Sequence, residues 1–350
     1  MTTPGRLIDQ HNRPLGVLRL SLTARCNLSC PYCQPDGGED TRLSLHQRLQ
    51  LIRACCELGL TTLRLTGGEP LLAPELDELL QTIQQGRNSR HDPLHHLQEV
   101  ALTTNGTLLD GCRAEQLKQA GLDRITISLD GATGASVSRM AGLQGGERHG
   151  EQLLQRVLQG IAAAKAAGFH AESGAIKINS VIQRGRNDDQ LLPLAELARQ
   201  QNVELRLIEY MDVGNRNGWS AAEVVTASEL LSQLQQRWPL EPLGRPQHST
   251  ASRWRYRDGA GHVAAVASIS QPFCGDCNRL RITAEGMAYT CLFAEQGHDL
   301  RPFLAPDSST YELQDALKAI WQQRTDRYSE ERDQRQGEIR QPAEMAYLGG

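Results

Sequence analysis

Apolar residues recur in the first two hundred positions as short runs separated by longer helical patterns. The runs of strand length lie at 17–23, 61–66, 98–104, 124–129, 175–182 and 203–209. The helical patterns lie at 44–58, 74–85, 110–120, 150–167 and 188–201. Strands that alternate with helices are typical of parallel βα units, but six units are too few for a closed eight-stranded barrel. The pattern therefore predicts an α/β fold, a partial and open parallel β/α barrel.

Local signals support the ends of several predicted helices. Ser44 and Gln47 have the spacing of a capping box, which satisfies backbone N–H groups at the start of a helix. Gly59, Gly121 and Gly168 follow helical patterns and precede the next strand, where a glycine commonly ends a helix.

Within the predicted strands, a polar residue stands at every second position. Parallel strands that are covered on both faces are normally apolar throughout. One face should therefore pack on helices, whereas the other should line a polar lumen that holds a polar ligand, because buried unpaired charges are costly. The alternative is a sheet face that is open to solvent. The polar positions include Arg19, Ser21, Thr23, Arg64, Thr66, Thr103, Thr126, Ser128, Lys177 and Asn179.

The overall charge and hydropathy narrow the function classes. The chain has 41 acidic and 37 basic residues, so its charge gives no support for binding nucleic acid or an anionic membrane. The N-terminus lacks the apolar core of a signal peptide, and no stretch approaches the ~18 apolar residues of a membrane span. We therefore predict a cytoplasmic protein with reduced thiols, so clustered cysteines point to metal or catalytic sites.

Three of the nine cysteines follow the first predicted strand. Cys26, Cys30 and Cys33 lie on the loop at the carboxyl end of that strand, which is the catalytic face of such folds. A structural zinc site needs four protein ligands, whereas a four-iron cluster held by three thiolates leaves one iron open for another ligand. We favour the cluster, with zinc as the alternative.

A second triad, Cys274, Cys277 and Cys291, is also one ligand short of a closed zinc site. A zinc site that borrows His262 or His298 is the alternative here. The remaining thiols lie in apolar helical patterns, so we expect buried structural side chains. They are Cys55, Cys56 and Cys112.

Two motifs resemble those of the radical S-adenosylmethionine (SAM) enzymes. The first is Cys26-x3-Cys30-x2-Cys33, with the aromatic Tyr32 before the third cysteine. The second is Thr66-Gly67-Gly68-Glu69-Pro70 after the second strand, which is similar to the glycine-rich SAM-binding segment of that superfamily.

Features of the C-terminal part indicate which family of radical SAM enzymes the chain resembles. The second triad encloses the sequence Arg279-Leu280-Arg281, and the chain ends in Gly349-Gly350. In combination these features resemble the GTP 3′,8-cyclases of molybdenum cofactor biosynthesis, from about residue 14 to the end. The resemblance implies a radical SAM partial barrel over 14–215. Over 216–350 it implies a C-terminal α+β extension that carries the second iron–sulfur site and closes the barrel mouth.

The resemblance also assigns residues to ligands. It implies two 4Fe-4S clusters, one on each cysteine triad, and a SAM site formed by Tyr32, Gly68, Ser128 and Met211. The residues implied for GTP are Arg19, Arg64, Thr103, Lys177, Arg279, Leu280 and Arg281. Among these, the resemblance gives Arg19, Arg279 and Arg281 a catalytic role.

The implied reaction converts GTP to 3′,8-cyclo-7,8-dihydro-GTP through hydrogen abstraction from the ribose C3′ by a 5′-deoxyadenosyl radical. The implied partners are a one-electron reductant and a cyclic pyranopterin monophosphate synthase that takes the product, and a homodimer is possible. Two alternatives stay open: another radical SAM enzyme with an auxiliary cluster, such as a peptide modifier, or a non-enzymatic iron–sulfur scaffold or carrier. A carrier has no use for a lumen lined by Arg19, Arg64 and Lys177.

Overall fold

A computed structural model describes residues 7–33, 42–335 and 341–349. Its strands join in one sheet with the order β12-β11-β10-β1-β2-β3-β4-β5-β6-β9-β8-β7. The strands are β1 (Val17–Ser21), β2 (Thr62–Thr66), β3 (Glu99–Thr104), β4 (Arg124–Ser128), β5 (Ile176–Ile182), β6 (Glu204–Glu209), β7 (Leu240–Gly244), β8 (Ser252–Tyr256), β9 (His262–Val266), β10 (Arg279–Ile282), β11 (Met287–Tyr289) and β12 (His298–Asp299).

Helices lie between the strands in the first part of the chain and flank the sheet in the rest. They are α1 (Leu45–Glu57), α2 (Leu76–Arg87), α3 (Gly111–Gln119), α4 (Gly134–Met140), α5 (Gly146–Ala166), α6 (Leu191–Gln200), α7 (Ala227–Arg237), α8 (Thr310–Gln322), α9 (Tyr328–Glu331) and α10 (Met345–Leu348). None of the helices in the described part of the chain is long and apolar enough to span a membrane.

The predicted parallel barrel is confirmed, and C-terminal strands extend it on both sides. Strands β1 to β6 are mutually parallel, β10 pairs parallel with β1, and β9 pairs parallel with β6. Strands from both predicted domains therefore share one sheet. The boundary near residue 215 stays a prediction.

The alternation along the strands separates two faces as predicted. Leu18, Leu63, Ile127 and Ile178 are completely buried in the core between the sheet and the helices. The intervening polar side chains lie on the opposite face, because successive residues of a strand point to opposite sides. The apolar face thus fixes which side chains enter the lumen.

The capping box of Ser44 and Gln47 is present at the start of α1. Helix α4 was not predicted, because its short sequence GASVSRM has no apolar helical period.

Cys55 and Cys56 are buried as expected, but the prediction for Cys112 is wrong, since this thiol is exposed. In helix α3 the buried side chains are instead those of Ala114 and Leu117.

Burial of the helices against the sheet predicts a contrast within α6. Leu194 is fully buried, whereas Leu192 is 40% exposed. Leu194→Ala should lower the free energy of unfolding by about 2–5 kcal/mol, because it leaves a cavity in the core. Leu192→Ala should change it by less than about 0.5 kcal/mol. Chemical denaturation of both variants tests this, and equal effects would contradict the assigned packing.

Candidate active site

The polar face of the sheet lines a cavity. Six predicted ligand residues, the tail residue Gly349 and the thiols of the second triad border it. They are Arg19, Arg64, Thr103, Met211, Arg279, Arg281 and Gly349, with Cys274, Cys277 and Cys291. Five of the predicted GTP residues, the predicted SAM residue Met211 and the second triad thus border one cavity.

Three arginines lie side by side across the lumen face. Arg19 on β1 is in register with Arg64 on β2 and with Arg281 on β10. Burial, together with the guanidinium groups of Arg281, Arg279 and Arg206, lowers the pKa of Arg19 to about 9. Burial and the surrounding arginines also lower the pKa of Arg64 well below its usual value. These cations are crowded and desolvated, which favours a bound anion.

Several nitrogen atoms of these side chains lack a hydrogen-bond partner among the described residues. They are Arg64 Nε, Arg206 Nε, Arg279 Nη1, and Arg281 Nε and Nη1. Buried donors are normally satisfied. An anionic ligand rich in acceptor oxygens, such as a triphosphate, fits this arrangement.

Lys177 shares the lumen face but is held by a carboxylate. It is paired in register with Thr126, which borders the cavity, yet its ammonium lies 2.9 Å from Glu204. Glu204 is itself buried and also contacts Arg206 at 3.5 Å and Arg253 at 2.6 Å. Burial and Arg206 outweigh the attraction of Glu204 and lower the pKa of Lys177 to about 8.

Two predicted GTP residues differ in where their side chains point. Thr103 borders the cavity, whereas Leu280 is buried in the hydrophobic core. Leu280 alternates with Arg279 and Arg281 along β10, so its side chain points away from the lumen. The prediction that Leu280 contacts GTP is therefore corrected for its side chain, which does not reach the cavity.

The loop with the first triad is held by backbone contacts to the glycine-rich segment. Gly68 N–H donates to the carbonyl of Thr23 at 2.9 Å, and Glu69 N–H donates to that of Arg25 at 2.8 Å. A Cβ at Gly68 would collide with the backbone of Arg25. The glycine is therefore needed for packing of the cysteine loop, a reason beyond the close approach to a ligand that the sequence suggested.

The carboxylate of Glu69 joins this segment to β3 and the residue after it. Glu69 is fully buried, accepts from Thr104 Oγ1 at 2.7 Å, and accepts from the N–H of Asn105 at 2.7 Å. Burial raises its pKa, which the hydrogen bonds to Thr104, Asn105 and Leu71 oppose.

Tyr32 and Ser128 border a second, smaller cavity together with Cys30 and Asp130. The Tyr32 hydroxyl donates to Asp130 Oδ2 at 2.7 Å, and Asp130 Oδ1 accepts from the N–H of Val181 at 2.8 Å. Burial raises the pKa of Asp130 to about 6. This chain of hydrogen bonds fixes the aromatic ring beside the cysteine loop.

The thiols of each triad lie close enough to affect one another. Burial, with Asp130, Cys33 and Cys26, raises the pKa of Cys30 well above its usual value. In the second triad, burial opposes ionisation of Cys277, but Arg324, Arg279 and Arg281 outweigh it and lower the pKa of Cys277 to about 6.

Among the described residues, no three His, Cys, Asp or Glu side chains are arranged around one metal ion. A zinc ion holds its thiolates about 2.3 Å from a single centre. In a four-iron cluster, by contrast, each thiolate binds a different iron, so the sulfur atoms need not converge. A set of three cysteine thiols, as in each triad, fits such a cluster.

The two triads lie at opposite ends of neighbouring strands. Strand β10 is parallel to β1, Cys277 precedes β10, and Cys26 follows β1. At ~3.3 Å per residue, the five residues of β1 and the adjoining loops separate the triads by roughly 15 Å or more. The cationic lumen lies between them.

The C-terminal tail enters the cavity. Arg19 Nη2 donates to the carbonyl of Gly349, and Ser21 Oγ donates to that of Tyr347 at 2.9 Å. Gly349 has a φ of 66°, and a Cβ there would collide with Thr66 Oγ1. Its partner Gly350 in the predicted motif lies outside the described residues.

Sequence reasoning missed several residues at the site. Arg206 could have been found, because it follows the same alternation along β6. Phe273, Arg324, Asp326 and Met345 also border the cavity, but they lie in turns and short segments without a periodic signal. Their positions depend on how the C-terminal part folds back over the sheet.

Comparisons with known proteins agree with this architecture. A family model of the radical SAM superfamily matches residues 20–198, and a model described as Molybdenum Cofactor Synthesis C matches residues 203–330. The crystal structure of Streptococcus suis SuiB bound to S-adenosylmethionine has a TM-score of 0.58. It is 15% identical and covers 89% of this chain and 67% of that chain, so it supports the fold alone.

Closer relatives match over the full length. A protein of Synechococcus sp. (strain CC9902) named GTP 3′,8-cyclase is 58% identical over 351 residues, which cover 100% of both chains. A protein of the same name from Xanthomonas axonopodis pv. citri (strain 306) is 45% identical over 361 residues, again covering 100% of both. This chain therefore belongs to the GTP 3′,8-cyclase family of the radical SAM superfamily.

Proposed function

We propose that this enzyme converts GTP to 3′,8-cyclo-7,8-dihydro-GTP in molybdenum cofactor biosynthesis. The observation that carries the proposal is the shared cavity, in which Arg19, Arg64 and Arg281 face the same space as the second thiol triad. A nucleotide triphosphate matches the cations, and the open iron of a cluster on three thiolates can take a further ligand.

The cofactors are SAM and two 4Fe-4S clusters, which supply an electron and a carbon-centred radical when bound. We assign the first cluster to Cys26, Cys30 and Cys33 and the second to Cys274, Cys277 and Cys291. SAM is assigned to the neighbourhood of Tyr32, Gly68, Ser128 and Met211. The Tyr32 hydroxyl donates to Asp130 Oδ2 at 2.7 Å, and this hydrogen bond orients the Tyr32 ring.

The protein itself binds, orients and shields the substrate. The arginines on β1, β2 and β10 compensate the charge of the triphosphate, and their fixed register needs no rearrangement when the nucleotide enters. Arg19 is oriented by the carbonyl of Gly349, which couples the tail to the substrate site. Restricting water around a radical limits side reactions.

The proposal also includes two units of the chain and two partners of the enzyme. We assign residues 14–215 to the SAM-binding unit and 216–350 to the auxiliary-cluster unit. A one-electron reductant supplies the electron, and a cyclic pyranopterin monophosphate synthase takes the product. A reducing cytoplasm suits the unpaired thiols. A homodimer stays a prediction.

An anaerobic assay tests the proposed reaction. With SAM, dithionite and GTP, the reconstituted enzyme should form 5′-deoxyadenosine and the cyclised nucleotide, whereas ATP or a peptide in place of GTP should not be modified. It should contain about eight irons per chain, as two four-iron clusters require. A protein with only zinc, or a peptide product, would contradict the proposal.

Cysteine variants provide the matched controls for this assay. Cys30→Ser should abolish SAM cleavage, and Cys277→Ser should leave the first cluster intact while cyclisation is lost. Cys112→Ser removes an exposed thiol and should change neither iron content nor activity.

The lumen cations predict a loss of GTP affinity on substitution. Lys177→Ala and Arg64→Ala should each raise the Kd for GTP roughly 10- to 100-fold, because a hydrogen bond to a charged group contributes about 1.5–3 kcal/mol. Neither change opens an apolar cavity, and Glu204 keeps Arg206 and Arg253 as charge partners after Lys177→Ala, so stability should fall little. Lys165→Ala is the control, since this lysine binds the carbonyl of Gln201 at 2.7 Å. Calorimetry and thermal unfolding provide both readouts.

The lowered pKa of Lys177 gives this binding a pH dependence. Glu204, Arg206 and Arg124 are the charged groups that act on it. Above pH 8 the free enzyme loses the proton from Lys177 and with it one positive charge, so GTP affinity should fall between pH 7 and 9. The fall should be smaller in Lys177→Ala. An identical pH profile in both proteins would exclude Lys177 as its source.

The tail predicts a selective loss of cyclisation. Gly349→Ala should displace the tail, because the added Cβ collides with Thr66, and deletion of 349–350 should act in the same way. Both clusters and the fold should persist, and SAM cleavage should fall less than GTP cyclisation. Gly259→Ala is the control, because its φ of 81° imposes similar strain but nothing lies within 4 Å. Normal cyclisation by Gly349→Ala at matched iron content would contradict a role for the tail.

A further inference from the structure

Two buried guanidinium groups hold the Cys274–Cys277 turn by its backbone. Arg13 is 2% exposed, and its Nη1 donates to the carbonyl of Cys274 at 2.8 Å. Arg324 is 4% exposed, and its Nη1 donates to the carbonyl of Cys277 at 2.7 Å. Each cysteine on this turn therefore has its own arginine.

Acidic and aromatic groups lock the two arginines in place. Asp9 Oδ2 lies 2.5 Å from Arg13 Nε and 3.6 Å from Arg324 Nη1, so one buried carboxylate joins both. Arg324 Nε also contacts Asp326 Oδ2 at 3.0 Å. The Trp321 indole packs against Arg324 and donates to the carbonyl of Arg13 at 3.1 Å.

Part of this arrangement lies outside the regions that the family models match. Asp9 and Arg13 precede residue 20, where the first matched region begins, whereas Arg324 lies within the second. An N-terminal segment thus reaches the auxiliary-cluster site, which is more than 250 residues away in the chain.

We propose that Arg13 and Arg324, joined by Asp9, form an arginine clamp that positions the Cys274–Cys277 turn and sets the reduction potential of the auxiliary cluster. Reduction adds an electron, so a nearby cation stabilises the reduced cluster and raises its potential, and a nearby anion lowers it. Outer-shell partners of metal ligands tune metal sites in this way. The clamp residues are positioning residues that act through the cluster.

This inference rests on the proposed function, because it requires the second cluster. It predicts opposite effects for two neighbouring charges. Arg324→Gln removes a positive charge but keeps a donor for the Cys277 carbonyl, so the potential should become more negative. Arg324→Lys keeps the charge and should stay closer to the wild type. Asp326→Asn removes a negative charge and should shift the potential to more positive values.

The experiment is an anaerobic redox titration of the reconstituted full chain, followed by electron paramagnetic resonance without GTP. Each variant is also made in the Cys30→Ser background, where the auxiliary cluster is the one expected to remain. Arg87→Gln is the control, since Arg87 also binds backbone carbonyls, those of Leu97 and Gln98, but within the first half of the chain. Its auxiliary potential should equal that of the wild type.

The outcomes separate the clamp from the proposed function. Opposite shifts in Arg324→Gln and Asp326→Asn, with eight irons retained, support the clamp. Equal potentials in wild type, Arg324→Gln and Arg324→Lys would overturn it. If the Arg324→Gln variant fails to bind the auxiliary cluster, the Asp326→Asn variant provides the test. The proposal is then overturned if the reduction potential of its auxiliary cluster is not more positive than that of the wild type. A wild-type protein with a single cluster would instead contradict the proposed function.

Discussion

Repulsion among the buried cations of the lumen is the constraint on which the site depends. Arg19, Arg64 and Arg281 stand in register on adjacent strands, and neighbouring strands lie only about 4.8 Å apart. Such crowding is unfavourable without a counter-charge, as the lowered pKa values of Arg19 and Arg64 indicate. The fold tolerates it because the other face of the same strands is packed with leucine and isoleucine. Apolar burial therefore holds the cations in place for an anion.

The lumen cations differ in how their charge is balanced. Glu204 compensates Lys177, Arg206 and Arg253 on one side of the barrel. Arg64 and Arg281 border the cavity and carry guanidinium nitrogens without a hydrogen-bond partner among the described residues. An anion entering the lumen gains most from Arg64 and Arg281, because no carboxylate among the described residues pairs with them. The distribution of carboxylates thus directs where the phosphate charge is stabilised.

The sequence predicted the parts of the molecule that obey a repeating pattern. The alternation along the strands located Arg19, Arg64 and Thr103 on the lumen face, because the period of a strand and the burial of one face determine direction. The alternation could not locate Arg13 or Arg324, because both lie outside regular strands and contact the Cys274–Cys277 turn only after the chain folds back. Helix α4 was missed because its sequence is short and weakly apolar, yet the turn after it accepts a hydrogen bond from Ser29 in the cysteine loop.

A single continuous segment links the two cluster sites. Arg13, held by Asp9, contacts the Cys274–Cys277 turn, Arg19 follows on β1, and Cys26 begins the first cysteine loop beyond that strand. Strand β1 lies between parallel neighbours on both sides, so it cannot slide without breaking the registers with β2 and β10. The separation between the two cysteine triads is consequently set by the length of one strand. A ligand placed along it meets the cations midway, with the first triad at one end and the second triad at the other.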